Sequence, residues 1–243
     1  MGGTLGCMTT FSTVLARQLA TDPGRPLVTF YDHASGERTE LSVATYANWV
    51  AKTASLLADE HDLERGQLLR LDLPVHWLGP VFLGAAWTVG LEVALDGDPR
   101  ADGWVTGPDG LDRWAARADD GLVLATALHP LGLRFDRPLP ADVHDYGVEV
   151  WSQPDAYVAL DPPGPDDPAV TGRTQGDVWE AATAGSLLSD GGRLISEANP
   201  ASPSGLACFT EPLLRGGSVV LVAHADAERI EATYAAERAM SRA

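Results

Sequence analysis

Short apolar runs alternate with helical patterns along most of this chain, and that alternation limits the fold more than any other feature. Leu68 to Leu73 reads as a strand ending at Pro74. A helix follows from about Trp77 to Thr88, apolar on nearly every face, with Gly90 suited to its C-terminal cap. Leu91 to Leu95 is the next strand. Gly103 to Thr106 (strand), Leu111 to Ala118 (helix) and Leu122 to Leu128 (strand) continue the series. Parallel strands need crossover helices and are buried on both faces, so this order predicts right-handed crossovers on a mostly parallel sheet.

The flanking regions fit the same scheme. Phe11, Val14, Leu15 and Leu19 recur at helical spacing behind Thr9 or Thr10 as a cap. Leu27 to Tyr31 and Arg38 to Leu41 read as a hairpin, and Ser42 caps a helix from Val43 to about Ala58. Lys52 falls off the apolar stripe of that helix, where solvent exposure is expected. From 129 to 168 the alternation breaks down at repeated prolines, with one helix expected over Asp142–Trp151. The pattern resumes with a helix near 175–188, a strand Arg193–Ser196, a helix Leu206–Leu214, a continuous apolar strand Ser218–Val222 and a helix from Asp226 to about Ala239. These patterns predict an α/β chain of two similar, mostly parallel sheet subdomains with flanking helices. The division expected is 9–160, a Pro-rich connection at 161–168 in which Asp166-Asp167 are solvated, and 169–243.

Composition excludes several functions. The net charge is -17, from 17 Lys+Arg against 34 Asp+Glu, and so acidic a surface repels nucleic-acid phosphates and anionic lipid headgroups. The most apolar stretch, Trp77–Leu95, is interrupted by Gly79-Pro80, Gly84, Gly90 and Glu92, whereas a membrane span needs roughly 20 consecutive apolar residues. Neither a nucleic-acid partner nor a membrane is expected. No basic stretch leads into an apolar core at the N-terminus, where Met1 or Met8 could be the start. Cys7 and Cys208 read as two unpaired thiols, and a cytoplasmic location is expected.

The usual catalytic patterns are missing. His33, His61, His76, His129, His144 and His224 form no HxxxH or HExxH spacing, so no metal site is expected. No Gly-x-Ser-x-Gly elbow surrounds Ser186 or Ser189. Gly2-Gly3-Thr4-Leu5-Gly6 follows no strand and is not a dinucleotide loop. Asp96-Gly97-Asp98 lacks the downstream glutamate of a calcium loop and reads as a turn. Cys208 beside Phe209 reads as core.

Two segments carry a family resemblance. The stretch TFYDHASGERTELSVATYANWVAKTASLLADEHDLERGQLLRLDLPVHWLGPVFLGAAWTVGLEVAL resembles the N-terminal part of adenylate-forming enzymes, the acyl-CoA synthetase or AMP-binding superfamily. The family's turn into a strand matches Arg65-Gly66-Gln67-Leu68, and its helix–strand corner matches Val89-Gly90-Leu91. The stretch GGRLISEANPASPSGLACFTEPLLRGGSVVLV is similar to the segment after the family's phosphate loop. The chain also resembles a group of short actinobacterial acyl-CoA-synthetase-like proteins.

The departures from that family decide what the resemblance implies. The family places a Ser/Thr/Gly-rich loop with a lysine between a strand and a helix. Here the strand-like Ala169-Val170 is separated from the helix at Gln175 only by Thr171, Gly172, Arg173 and Thr174, and Lys52 is the sole lysine. Wrapping polyphosphate takes several converging backbone N–H groups, which so short a connection does not supply. Arg173 is the one cation there, able to hold an anion at the helix N-terminus or to sit at the surface. The family's histidine or aromatic before a glycine falls on Ser202 and Ser204 before Gly205, leaving a residual cleft with a wall of small residues. Relative to the family the sequence looks truncated, without the segments that hold ribose, magnesium and a catalytic lysine. Losing a group that stabilises transition-state charge costs orders of magnitude in rate. The resemblance therefore implies an adenylation-incompetent homologue with a binding or scaffolding role, no catalytic residue and no cofactor. The alternative is carboxylate adenylation completed by a partner polypeptide, with ATP/AMP and Mg as cofactors. A homodimer or a complementing protein is the expected partner.

Overall fold

Twelve strands and eight α-helices build two sheets in the computed structural model, which describes residues 9–97, 100–130 and 133–243. Cys7, Met8, the Gly2–Gly6 run and Asp98-Pro99 of the expected turn lie outside the described residues. The first sheet has the order β12 (Ser241–Arg242), β10 (Arg193–Ser196), β11 (Ser218–Ala223), β1 (Pro26–Asp32), β2 (Arg38–Ser42). The second has the order β7 (His144–Asp145), β6 (Leu122–Ala125), β5 (Gly103–Thr106), β3 (Leu68–Asp72), β4 (Glu92–Ala94), β8 (Pro168–Val170), β9 (Arg173–Thr174). All neighbours are parallel except the β1–β2 and β8–β9 pairs.

The two sheets sandwich a layer of helices. α1 (Phe11–Thr21), α2 (Val43–Ser55), α3 (Leu78–Val89), α6 (Gln175–Ala184) and α7 (Ala207–Leu214) share one core with Val28 and Phe30, Leu69 and Leu71, and Val219 and Leu221. Alternate residues of the same strands face outward. Val220 and Val222 pack with Ile230 of α8 (Ile230–Ala236), and Trp104 and Val123 pack with Trp114 of α4 (Leu111–Ala115). This period-2 division explains why β11 is buried along its whole length. α3 is buried on nearly all faces, as its uninterrupted apolarity predicts. At Gly84 it approaches α1 and α2 so closely that a Cβ would lie 2.3 Å from the Tyr46 hydroxyl and 2.7 Å from Phe11.

Several elements differ from the sequence expectation. Sheet membership does not follow a division at 161–168. The hairpin β1–β2 completes the sheet of β10–β12, and β8–β9 completes the sheet of β3–β7. Asp167 is not merely solvated: its carboxylate accepts two hydrogen bonds from Arg65, at 2.8 and 2.7 Å, and one from the Gly164 N–H. The helix expected over 142–151 is β7, a single turn α5 (Tyr146–Glu149) and a 3-10 turn Val150–Ser152. Here the Asp145 side chain caps Gly147 N, and Gly147 lies against the Leu133–Arg134 backbone. The helices expected to run to Ala118, 188 and Ala239 end earlier, at Ala115, Ala184 and Ala236. The strand expected to reach Leu128 ends at Ala125. α2 passes at Leu56–Glu60 into a π-helical turn. Lys52 is not free at the surface. Its ammonium donates to Gln153 O and pairs with Asp155 at 2.9 Å.

Candidate functional site

The C-terminal ends of strands from both sheets meet at a cavity of about 320 Å³. This is where open parallel sheets place their ligands. Phe30, Pro74, Val75, Leu128 and Val222 give it apolar walls, and Asp32, Glu37, Glu197, His76 and His224 supply its polar groups. Asp32 lies at the end of β1. Burial would raise its pKa, but hydrogen bonds from Ser35, His224 and the Ala34 N–H outweigh that and hold it below the usual carboxylate value. Burial pushes Glu37 up, with the Thr39 hydroxyl opposing. Three carboxylates around one opening disfavour an anionic ligand.

His76 is the most distinctive group of this cavity. It is 3% exposed, and burial pushes its pKa down to about 3, so it is neutral. Its Nδ1 accepts from the Leu78 N–H at 3.2 Å, which leaves the proton on Nε2. Nε2 has no partner among the described residues. A buried donor without an acceptor is costly, so this side chain is held there at the expense of an unmade hydrogen bond. The sequence offered no motif at His76. Its position just past the end of β3 was the only signal.

The shortened connection lies at a second cavity, of about 240 Å³, lined by Val93, Leu95, Asp96, Val170, Thr171, Arg173, Pro203 and Leu206. Thr171 and Gly172 form the two-residue turn of a β8–β9 hairpin in which Val170 pairs with Arg173. Gly172 sits at φ +76°, a left-handed conformation that glycine adopts without strain. The helix behind this turn is already closed to outside acceptors. Thr174 N donates to Asp177 Oδ2 at 2.8 Å, and Asp177 N donates to Thr174 Oγ1 at 3.1 Å. Gln175 N and Gly176 N donate to the carbonyls of Asp167 and Pro165, both at 2.8 Å. All four orphan N–H groups of α6 are therefore satisfied within the protein. The anion at this positive helix end is the chain's own Asp177 carboxylate, held below the usual range first by its bond from Thr174 N. The Arg173 guanidinium donates to Asp177 O at 3.1 Å.

Of the residues singled out in the sequence, Thr171 and Arg173 share this cavity, with Pro203 and Leu206 in the places expected for Ser202, Ser204 and Gly205. The Ser202 hydroxyl donates to Asn199 O at 2.7 Å and accepts from Gly205 N at 3.2 Å. Ser204 is exposed. Gly205 is buried against the Asn199 backbone, where a Cβ would lie 2.0 Å from the carbonyl oxygen. These three build a tight turn. Cys208 is buried as expected, and burial pushes its thiol up to about 12. Although the histidines lack metal-site spacing, the fold brings His61 and His144 onto opposite oxygens of Glu149, each at 2.8 Å. Among the described residues no helix is long and apolar enough to cross a membrane.

A protein of Mycobacterium tuberculosis described as a TIGR03089 family protein is 34% identical over 234 residues, covering 93% of this chain and 94% of that protein. The chain belongs to the TIGR03089 family. No protein-family model matches it. Its fold is that of the N-terminal half of acyl-CoA synthetases. An acyl-CoA synthetase of Brucella canis superposes with a TM-score of 0.78 at 17% identity, covering 100% of this chain and 48% of that one. The anthranilate CoA ligase AuaEII, solved with anthranoyl-AMP, gives 0.76 at 13% over 97% of this chain and 49% of its own. A benzoate CoA ligase of Burkholderia xenovorans gives 0.74 at 15% over 96% and 49%. This TIGR03089 chain thus spans about half the length of these enzymes and nearly all of its mycobacterial relative.

Proposed function

We propose that this protein is an adenylation-incompetent relative of acyl-CoA synthetases that binds a small ligand in the cleft between its sheets. One observation carries this reading: the N-terminus of α6 has no N–H group left for a phosphate, and its own Asp177 carboxylate already caps that end. The residues around Thr171 therefore do not fit a triphosphate with magnesium. The sole lysine, Lys52, is engaged with Gln153 and Asp155. The cavity beside His76 suits a largely apolar, uncharged molecule, since its walls are apolar and its acidic rim disfavours an anion. The exposed Trp151, Val158 and Leu160 support a complementing protein or a homodimer, and sedimentation as a stable monomer at micromolar concentration would exclude the homodimer. A cytoplasmic location is part of the same proposal.

Isothermal titration with Mg-ATP and pyrophosphate exchange over a panel of carboxylates test this reading. No saturable heat and no exchange above the blank are expected. Exchange by the purified chain alone refutes it. The share of the acyl-CoA synthetase length covered by this chain supports a second reading, adenylation completed by a separate polypeptide. In that case exchange appears only when the second polypeptide is added.

A further inference from the structure

We propose that His61, His144 and Glu149 form a three-ligand site for a divalent transition metal of the zinc class. Their ligand atoms all lie within 4.8 Å of one another. His61 Nε2 and His144 Nδ1 each stand 2.8 Å from a different oxygen of Glu149, with the imidazole centroids 4.5 Å apart. Two imidazole nitrogens and a carboxylate oxygen suit zinc or cobalt(II) better than calcium or magnesium, which prefer all-oxygen shells.

Three separate elements supply the ligands. His61 directly follows the π-helical turn, where its N–H bonds to Leu56 O in the wide i→i−5 pattern. Such turns are rare and recur at functional sites, and this one rotates His61 away from the position a continued α-helix would give it. His144 lies on the edge strand β7, opposite Leu124 of β6, and Glu149 ends α5. The side chains are graded in exposure, at 10% for His61, 26% for Glu149 and 42% for His144. His61 is the inner ligand, and His144 is the one most open to water. The chain as a whole carries a net charge of -17, which favours cations over anions. Bound metal would join α2 to the segment 144–149, which docks there also through Tyr146 and Thr53 at 2.8 Å.

The test is titration of chelator-stripped full-length protein with zinc chloride, followed by calorimetry and by thermal melting. Cobalt(II) serves as a spectroscopic probe. One equivalent should bind at micromolar Kd or tighter. Tetrahedral ligand-field bands should appear with cobalt. The Tm should rise by roughly 5–10 °C at a hundredfold excess over Kd. His61→Ala, His144→Ala and Glu149→Gln should each weaken binding by at least about tenfold. Glu149→Gln keeps the side-chain shape and decides the question if His61→Ala does not fold. Absence of saturable binding means that the cluster is only a hydrogen-bonded clasp, and overturns the site. Equal one-site binding by Glu149→Gln or by folded His61→Ala also overturns it.

Discussion

Replacing Gln175 with leucine should destabilise the fold by about 1–5 kcal/mol. The side chain is 1% exposed, and its amide completes two helix ends at once. Oε1 accepts from Phe11 N, the first N–H of α1, and Nε2 donates to Trp87 O in the last turn of α3, both at 2.9 Å. Neither group has an intrahelical partner at that position. Leucine fills similar volume but leaves a buried donor and a buried acceptor unpaired, at about 1–3 kcal/mol each, less about 1 kcal/mol for added apolar contact. Urea unfolding at constant m-value measures the loss, and the Tm should fall by about 2–20 °C. A companion variant, Gln175→Glu, separates hydrogen bonding from packing. A protonated glutamate can still donate to Trp87 O and accept from Phe11 N. Its folded-state pKa is raised by burial, so its stability is near wild type below about pH 4.3. Above that pH it is lost at about 1.4 kcal/mol per unit, until the folded-state pKa is passed. A leucine variant as stable as wild type, or a glutamate variant with no added pH dependence, would refute the assignment.

His76 makes an acid-dependent contribution of the opposite slope. Its folded-state pKa is near 3 against about 6.5 unfolded, so only the unfolded chain takes up the proton as pH falls below 6.5. Between pH 7 and pH 5 the wild type should lose about 2 kcal/mol more stability than His76→Phe; identical pH profiles would count against a buried neutral imidazole. The glycines at the second cavity should behave differently from each other. Gly205→Ala places a methyl 2.0 Å from Asn199 O and should cost at least about 3 kcal/mol. Gly172→Ala meets nothing within 4 Å and should cost only about 1 kcal/mol, from its positive φ. Chemical denaturation of the two variants side by side reads both values, and a reversed order would sink this account of the turn.

Much of the architecture was legible because burial on two faces leaves a plain trace. Ser218–Val222 is a short apolar run, Leu68–Leu73 is apolar but for Arg70 and Asp72, and Trp77–Thr88 is apolar on nearly every face. What periodicity cannot carry is partner choice. Nothing in Leu27–Tyr31 marks Val219–Ala223 as its neighbour, and that pairing is what undoes a division at 161–168. The brevity of 171–174 was visible, whereas the closure of α6 was not recognised, although Thr174 followed by Asp177 at the third position is a capping-box signature. Gln175 read only as a helix opening, since a single polar residue gives no sign that two distant helix ends converge on it. The His61–His144–Glu149 cluster is built by long-range topology, so no local spacing could reveal it.

The interleaving of the two sheets has a consequence for how the protein is made. β1 is held between β2 and β11, and β11 emerges from the ribosome long after β1 and β2. Until then the edge of β1 that β11 will cover is unpaired. Final closure of the first sheet must therefore be a late event dominated by contacts distant in sequence, the kind that fold slowly and expose adhesive strands while they wait. For such a topology, chaperone dependence during synthesis is set by the position of one strand in the gene, independently of how stable the finished molecule is.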